Sequence, residues 1–196
     1  MLLTGFRSLD RLLEKDEIVE FYSTDKDLLY TFYHRVIALS APVKVIITSE
    51  RGGIDPLLIE RFRRIFGNRG EVFIRRAFKA EDLVPTIEAM DKMVLADLII
   101  IDPYHHHKRS LYDSIVSAIR RAKGSKKFIF SFMDREKEGS IFGLHSVHSI
   151  IELKRGNRGF KAVFRKSTVV EEVEIPYSFW EIFGMDSGEG LLSWIV

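Results

Sequence analysis

Three groups of residues in this chain are of the right type and spacing to do chemistry. The first is a turn, Ser23-Thr24-Asp25-Lys26-Asp27, lying between an apolar run at Ile18–Tyr22 and a helical pattern from Leu28 to Ser40. A strand, a turn and a helix in that order make the usual frame for a phosphate, because the free N–H groups of the helix start face the loop. The second group is a pair of carboxylates, Glu50 and Asp102, each at the C-terminal end of a predicted strand. Strand carboxyl ends are where α/β sheets usually hold ligands. The third group is basic. Arg61, Arg63, Arg64, Arg69, Arg75, Arg76 and Lys79 stand against Glu71 alone, and Lys154, Arg155, Arg158, Lys161, Arg165 and Lys166 form a run without an acid. Clusters of this kind meet phosphates or simply make a solvated surface.

The first group lacks what a phosphate loop needs. Glycines let the backbone curl so that several N–H groups point inward, a lysine neutralises the β and γ oxygens, and a hydroxyl holds Mg²⁺. Here Ser23 and Leu28 stand at the glycine positions, Leu29 at the lysine and Tyr30 at the hydroxyl. Lys26 is a lone lysine in a turn and reads as a surface residue. Asp25 and Asp27 suit helix capping better than anion binding. The histidine run His105-His106-His107 precedes Lys108 and Arg109. Consecutive side chains diverge, so three in a row rarely converge on one ion, and no metal site is expected. That loop reads as exposed, with phosphate contact as the alternative. His145 and His148 read as ordinary core or surface histidines.

These groups need elements to position them. The chain has 196 residues, 46% apolar and 30% charged, with a net charge of +2, enough for one α/β domain. It has no cysteine, which removes disulfides and thiolate chemistry and fits a cytoplasmic location. It has no Gln and only Asn68 and Asn157, a usage that suggests a thermophilic source. The longest apolar run, Val94–Ile101, is too short to span a membrane, and no signal peptide is expected.

Strands are predicted at Ile18–Tyr22, Val43–Thr48, Val72–Arg75, Val94–Asp102 and Lys127–Phe132. Helices are predicted at Leu28–Ser40, Pro56–Phe66, Glu81–Lys92 (with Pro85 in its first turn) and Ser110–Lys123. Ser146–Lys154, Phe160–Lys166 and Val169–Ile175 read as further strands, the first two joined by a hairpin at Gly156-Asn157-Arg158-Gly159. The expectation is a single domain over residues 1–196: a mostly parallel sheet flanked by helices and extended by antiparallel strands. The apolar tail at Ile175–Phe183 and Leu191–Val196 would close the sheet edge or offer a partner surface.

Several segments in order resemble the core domain of RecA/RadA recombinases and their archaeal paralogues. Thr4-Gly5-Phe6-Arg7-Ser8-Leu9-Asp10-Arg11-Leu12-Leu13 is similar to the entry to the phosphate loop, and Thr48-Ser49-Glu50-Arg51-Gly52-Gly53 to the second strand end. Arg76-Ala77-Phe78 matches an R-A-F segment, Ala96–Asp102 resembles the Walker B strand, and Ile150–Arg155 leads the C-terminal strands. The resemblance implies a RecA-like P-loop ATPase core fold. It would make Glu50 the water-activating glutamate and Asp102 the magnesium carboxylate, both relics without a working phosphate loop. It puts two short DNA-binding loops at His105–Arg109 and Met133–Ser140.

The chain is short for that family, with no N-terminal helical domain, which resembles the small accessory paralogues. The reading is a non-catalytic paralogue, with no cofactor. It would bind single-stranded or branched DNA, a RecA/RadA-family ATPase or itself, in recombination or repair. Arg61, Arg64, Arg75, Arg76, His106, Lys108, Arg109, Lys154, Arg155 and Arg158 are the candidate nucleic-acid contacts. The alternatives are an inactive ATPase subunit without DNA binding, or an enzyme with altered nucleotide chemistry on Glu50 and Asp102.

Overall fold

The computed structural model describes residues 1–104, 109–133, 146–157, 159–167 and 172–176. The elements run in chain order α1 (Arg7–Leu12), β1 (Ile18–Ser23), α2 (Lys26–Ser40), β2 (Val43–Thr48), α3 (Pro56–Phe66), β3 (Val72–Ala77), α4 (Ala80–Met93), β4 (Asp97–Ile101), α5 (Tyr112–Arg121), β5 (Lys127–Phe132), β6 (Ser149–Arg155), β7 (Phe160–Lys166) and β8 (Glu172–Ile175).

All eight strands join one sheet in the order β3-β2-β4-β5-β1-β6-β7-β8. The pairs from β3 to β6 are parallel, and β6-β7-β8 is an antiparallel meander. The chain is thus α/β, with helices on both faces, as the alternation of apolar runs and helical patterns predicts. β1, β2 and β4 are buried along their whole length. They are the continuous apolar runs of strands covered on both sides.

Two apolar layers follow from the alternation of side chains. One packs Val19, Phe21, Val45, Ile47, Ile99, Phe128 and Phe130 under α1, α2 and α3, and continues beneath the meander through Ile151, Leu153, Phe160 and Ala162. The other packs Ile18, Tyr22, Ile46, Leu98, Ile100 and Ile129 against α4 and α5. The rings of Phe6, Phe21, Phe32, Phe130 and Phe160 contact one another across the first layer, at centroid separations of 4.9 to 6.3 Å.

Several boundaries differ from the sequence expectation. α1 was not foreseen; its first-turn Asp10 accepts from the backbone N–H of Thr4 (2.7 Å) and Gly5 (3.1 Å) and so folds the entry segment onto the helix. α2 starts two residues earlier than expected because Asp25, the residue before it, caps it. β3 runs on to Ala77, so Arg76 and Ala77 belong to the strand. Pro85 lies beyond the first turn of α4 and is tolerated there, while Thr86 Oγ1 donates to Asp82 O at 2.6 Å. β4 begins at Asp97, α5 spans Tyr112–Arg121 after a short 3₁₀ turn, and β6 begins at Ser149. Most of the expected Met133–Ser140 loop, His145, Val169–Glu171 and the apolar tail from Tyr177 lie outside the described residues.

Candidate functional site

The connection leaving β1 enters α2 on one face of the sheet, and the chain leaving β4 leads to α5 on the other. The two carboxyl ends flank β5. Such a divergence at the strand ends is the usual ligand position in a sheet of this kind. The turn after β1 and Asp102 after β4 both lie at this edge, and Glu50 follows the neighbouring β2.

The turn after β1 is filled by its own side chains. Ser23 is buried; its Oγ donates to Leu153 O (2.7 Å) and accepts from Asp25 N (3.0 Å). Asp25 caps α2 by accepting from Leu28 N at 3.0 Å. Its other carboxylate oxygen is paired with the Arg155 guanidinium from the end of β6. Hydrogen bonding to Arg155 holds the Asp25 carboxyl below its ordinary range, against a smaller opposing effect of burial. An anion therefore already sits on the first N–H groups of α2, and that anion is part of the chain.

Leu28 and Leu29 are buried in the layer under α2. The Tyr30 ring packs on Tyr33 and His34, with centroids 5.5 and 4.2 Å away. Burial, then the charge of Asp55, raise the Tyr30 phenol above its ordinary value. Lys26 is exposed, its ammonium 5.9 Å from the centre of the Phe132 ring.

The two carboxylates have different surroundings. Glu50 is exposed in the loop after β2. That loop is held by Arg76, whose guanidinium donates to Ser49 O (3.0 Å), Ser49 Oγ (3.1 Å) and Gly52 O (2.9 Å). Asp102 is half-buried in the left-handed region at φ 52°, and its Oδ1 accepts from Phe132 N at 2.8 Å. Asp102 also donates its own N–H to Phe130 O at 2.7 Å, so it braces β4 against β5. A non-glycine residue in that region is uncommon, and the two backbone bonds hold it there.

The basic residues do not form one surface. Arg61 and Arg64 are exposed on α3, and Glu60 pairs with both Arg63 (3.2 Å) and Arg64 (3.4 Å). Arg75 reaches the Met93 sulfur at 3.0 Å, at the end of α4 on the opposite side of the sheet from α3. In the second cluster Lys154 (3.1 Å) and Arg165 both pair with the buried Glu152, Lys161 with Glu172 (2.8 Å), and Arg155 with Asp25. Lys166 donates to Val147 O. The second run is thus largely neutralised by acids on neighbouring elements. His106, Lys108 and Arg158 lie outside the described residues, and only the backbone of Arg109 is described. Among the described residues no cluster of His, Asp and Glu could hold a metal ion, and no helix is long and apolar enough to cross a membrane.

The sequence reading missed several polar residues of the interior. Glu20 is fully buried in β1. Arg35 is fully buried in α2, donates to Thr4 O and Gly5 O (both 3.2 Å), and stacks on Phe6 and Phe66. His34 joins α2 to the start of α3. The signal for Glu20 was present: it sits between Ile18 and Tyr22 at strand spacing, in a strand apolar on both faces. No protein-family model and no curated protein sequence matches the chain.

Proposed function

We propose that this chain is a RecA-like, non-catalytic paralogue of the RecA/RadA type that works by binding DNA, a protein partner, or both. One observation carries the reading. The turn where a phosphate would sit is occupied by Asp25, itself paired with Arg155, with Leu28 and Leu29 buried behind it. The sheet order, the meander and the carboxylates at the ends of β2 and β4 are in keeping with the resemblance, while the chemistry of phosphate binding is gone. On the register of the resemblance Leu29 and Tyr30 stand where the lysine and the hydroxyl would be, and Asp102 serves as a brace between strands.

For DNA, the supporting residues are Arg61 and Arg64 on α3 and Arg69 in the turn beyond it, all exposed. They would contact phosphates without reading bases. Lys154 and Arg155, and Arg64 as well, are already paired with acids of the chain, so each contributes less than the sequence suggests. The test is fluorescence anisotropy of labelled single-stranded DNA at two salt concentrations, with and without MgATP. Binding that weakens steeply with salt and ignores MgATP is expected. An absence of binding at low salt overturns the DNA role.

A second reading, an inactive subunit that binds protein only, is favoured by the β3 edge. Ile74, Phe78, Met93 and Leu95 are exposed on β3 or on the segments beside it, and β3 is the outer strand of the sheet. Exposed strand edges flanked by apolar side chains are ready contacts for another chain. A stable complex captured by this protein, with no DNA affinity, would select that reading.

A further inference from the structure

Glu20 lies in the middle of β1 on the face that α4 and α5 cover, between the buried side chains of Ile18 and Tyr22. It has no exposed surface. Ser131 Oγ on β5 donates to its Oε1 at 2.9 Å, and Oε2 has no hydrogen-bond partner among the described residues. β5 and β6 place Ile129 and Ile150 beside it in register. α4 brings the apolar Leu83, Ile87 and Met90 to this layer, and α5 brings Ile115 and Ile119.

Two tyrosines share this layer: Tyr22, two residues along β1, and Tyr104, just beyond β4, whose phenol is pushed up by burial first and then by the charges of Glu20 and Tyr112. The Tyr104 and Tyr112 rings are in edge contact at 5.1 Å. The nearest charges on the same strands are committed elsewhere: Lys127 to Glu17, and Glu152 to Lys154 and Arg165.

We propose that Glu20 is a pH-sensitive brace: protonated, it packs as a neutral acid within the layer that Tyr104 packs against, and ionised, it loosens the Tyr104–Tyr112 contact and weakens the fold. A carboxylate shut away from water with one hydroxyl for company is costly, whereas the neutral acid is not. Burial raises the Glu20 carboxyl from 4.5 to about 7, the Ser131 bond opposing it only in part. The stabilising contribution of a group whose value rises on folding is complete below the unfolded value. It is lost as pH climbs from about 4.5 through about 7.

The test compares wild type with Glu20→Gln, which keeps the shape and cannot ionise. The ratio of their unfolding equilibrium constants should change by about 300-fold between pH 4 and pH 8.5, wild type becoming the weaker at the alkaline end. A constant ratio overturns the proposal. The ¹³C shift of the Glu20 carboxyl in the native wild type supplies a second measurement that needs no substitution. A midpoint near neutrality, with the Tyr104 ring signals moving at the same midpoint, is the expected result. A midpoint in the ordinary carboxylate range, or Tyr104 signals that stay still while Glu20 titrates, overturns it.

Discussion

Acidification should cost this protein stability through His34. The side chain is fully buried on α2 and both ring nitrogens are engaged: Nδ1–H donates to Tyr30 O (2.7 Å) and Nε2 accepts from Asp55 N–H (2.8 Å). Only the neutral ring, protonated at Nδ1, can do both. Asp55 is also the cap of α3, accepting from Leu57 N and Leu58 N, so the bond ties the end of one helical turn to the start of the next helix.

Burial lowers the His34 imidazole from 6.5 to about 4, against smaller raising effects from the Tyr30 carbonyl and Asp55. A cation disfavoured by folding gives a contribution that is whole above the unfolded value and is lost as pH falls through the folded one. By pH 5 the loss is about 2 kcal/mol, and at more acid pH it approaches about 3 kcal/mol. The assay is urea denaturation of wild type and His34→Gln at pH 8 and pH 5. Gln can donate and accept but does not titrate, and Glu20, whose contribution runs the opposite way, is common to both proteins. Wild type should lose about 2 kcal/mol more than the variant over this interval. Parallel losses, or a His34 ring titrating above pH 6 by NMR, would refute the reasoning.

Two further outcomes follow from the packing. Lys44 is fully buried, paired with Asp91 and donating to Lys123 O at 2.8 Å. Lys44→Ala should therefore cost about 3–5 kcal/mol in chemical denaturation, because it strands Asp91 and opens a void; a cost below about 1 kcal/mol would contradict the pairing. A Cβ on Gly70 would stand 2.5 Å from the backbone carbon of Ala41. Gly70→Ala should lower the melting temperature by an amount equivalent to about 1–3 kcal/mol, and an unchanged melting curve would show that this contact gives way freely.

Much of the scaffold was legible in the chain, for reasons that particular segments make plain. Leu98-Ile99-Ile100-Ile101 could only be a strand covered on both faces, and Pro56 after Asp55 marked the start of α3. These signals are local. What was hidden depends on residues far apart in sequence.

Asp25 and Arg155 meet across 130 positions, so the turn looked merely short of glycine when it is in fact closed by an ion pair. Lys154 and Arg165 looked like a basic run until the sheet placed Glu152 between them. Arg61 and Arg75 looked like one cluster, but α3 and the end of α4 lie on opposite faces. Charge counted along the chain does not give the field in space, because strand pairing decides which acids it meets. Glu20 shows the same limit from the other side: its position in the alternation was readable, but that one of its carboxyl oxygens has no partner among the described residues was not.

We propose that the turn after β1 takes no phosphate because the chain supplies its own anion there, Asp25. Titration of MgATP into the unmodified protein, followed by calorimetry and by thermal shift, tests it most directly. The account predicts no heat of binding and no change in melting temperature at millimolar nucleotide. Saturable, magnesium-dependent binding that is lost in Asp102→Asn would contradict it, and would make the carboxyl ends of β1 and β4 a working nucleotide site.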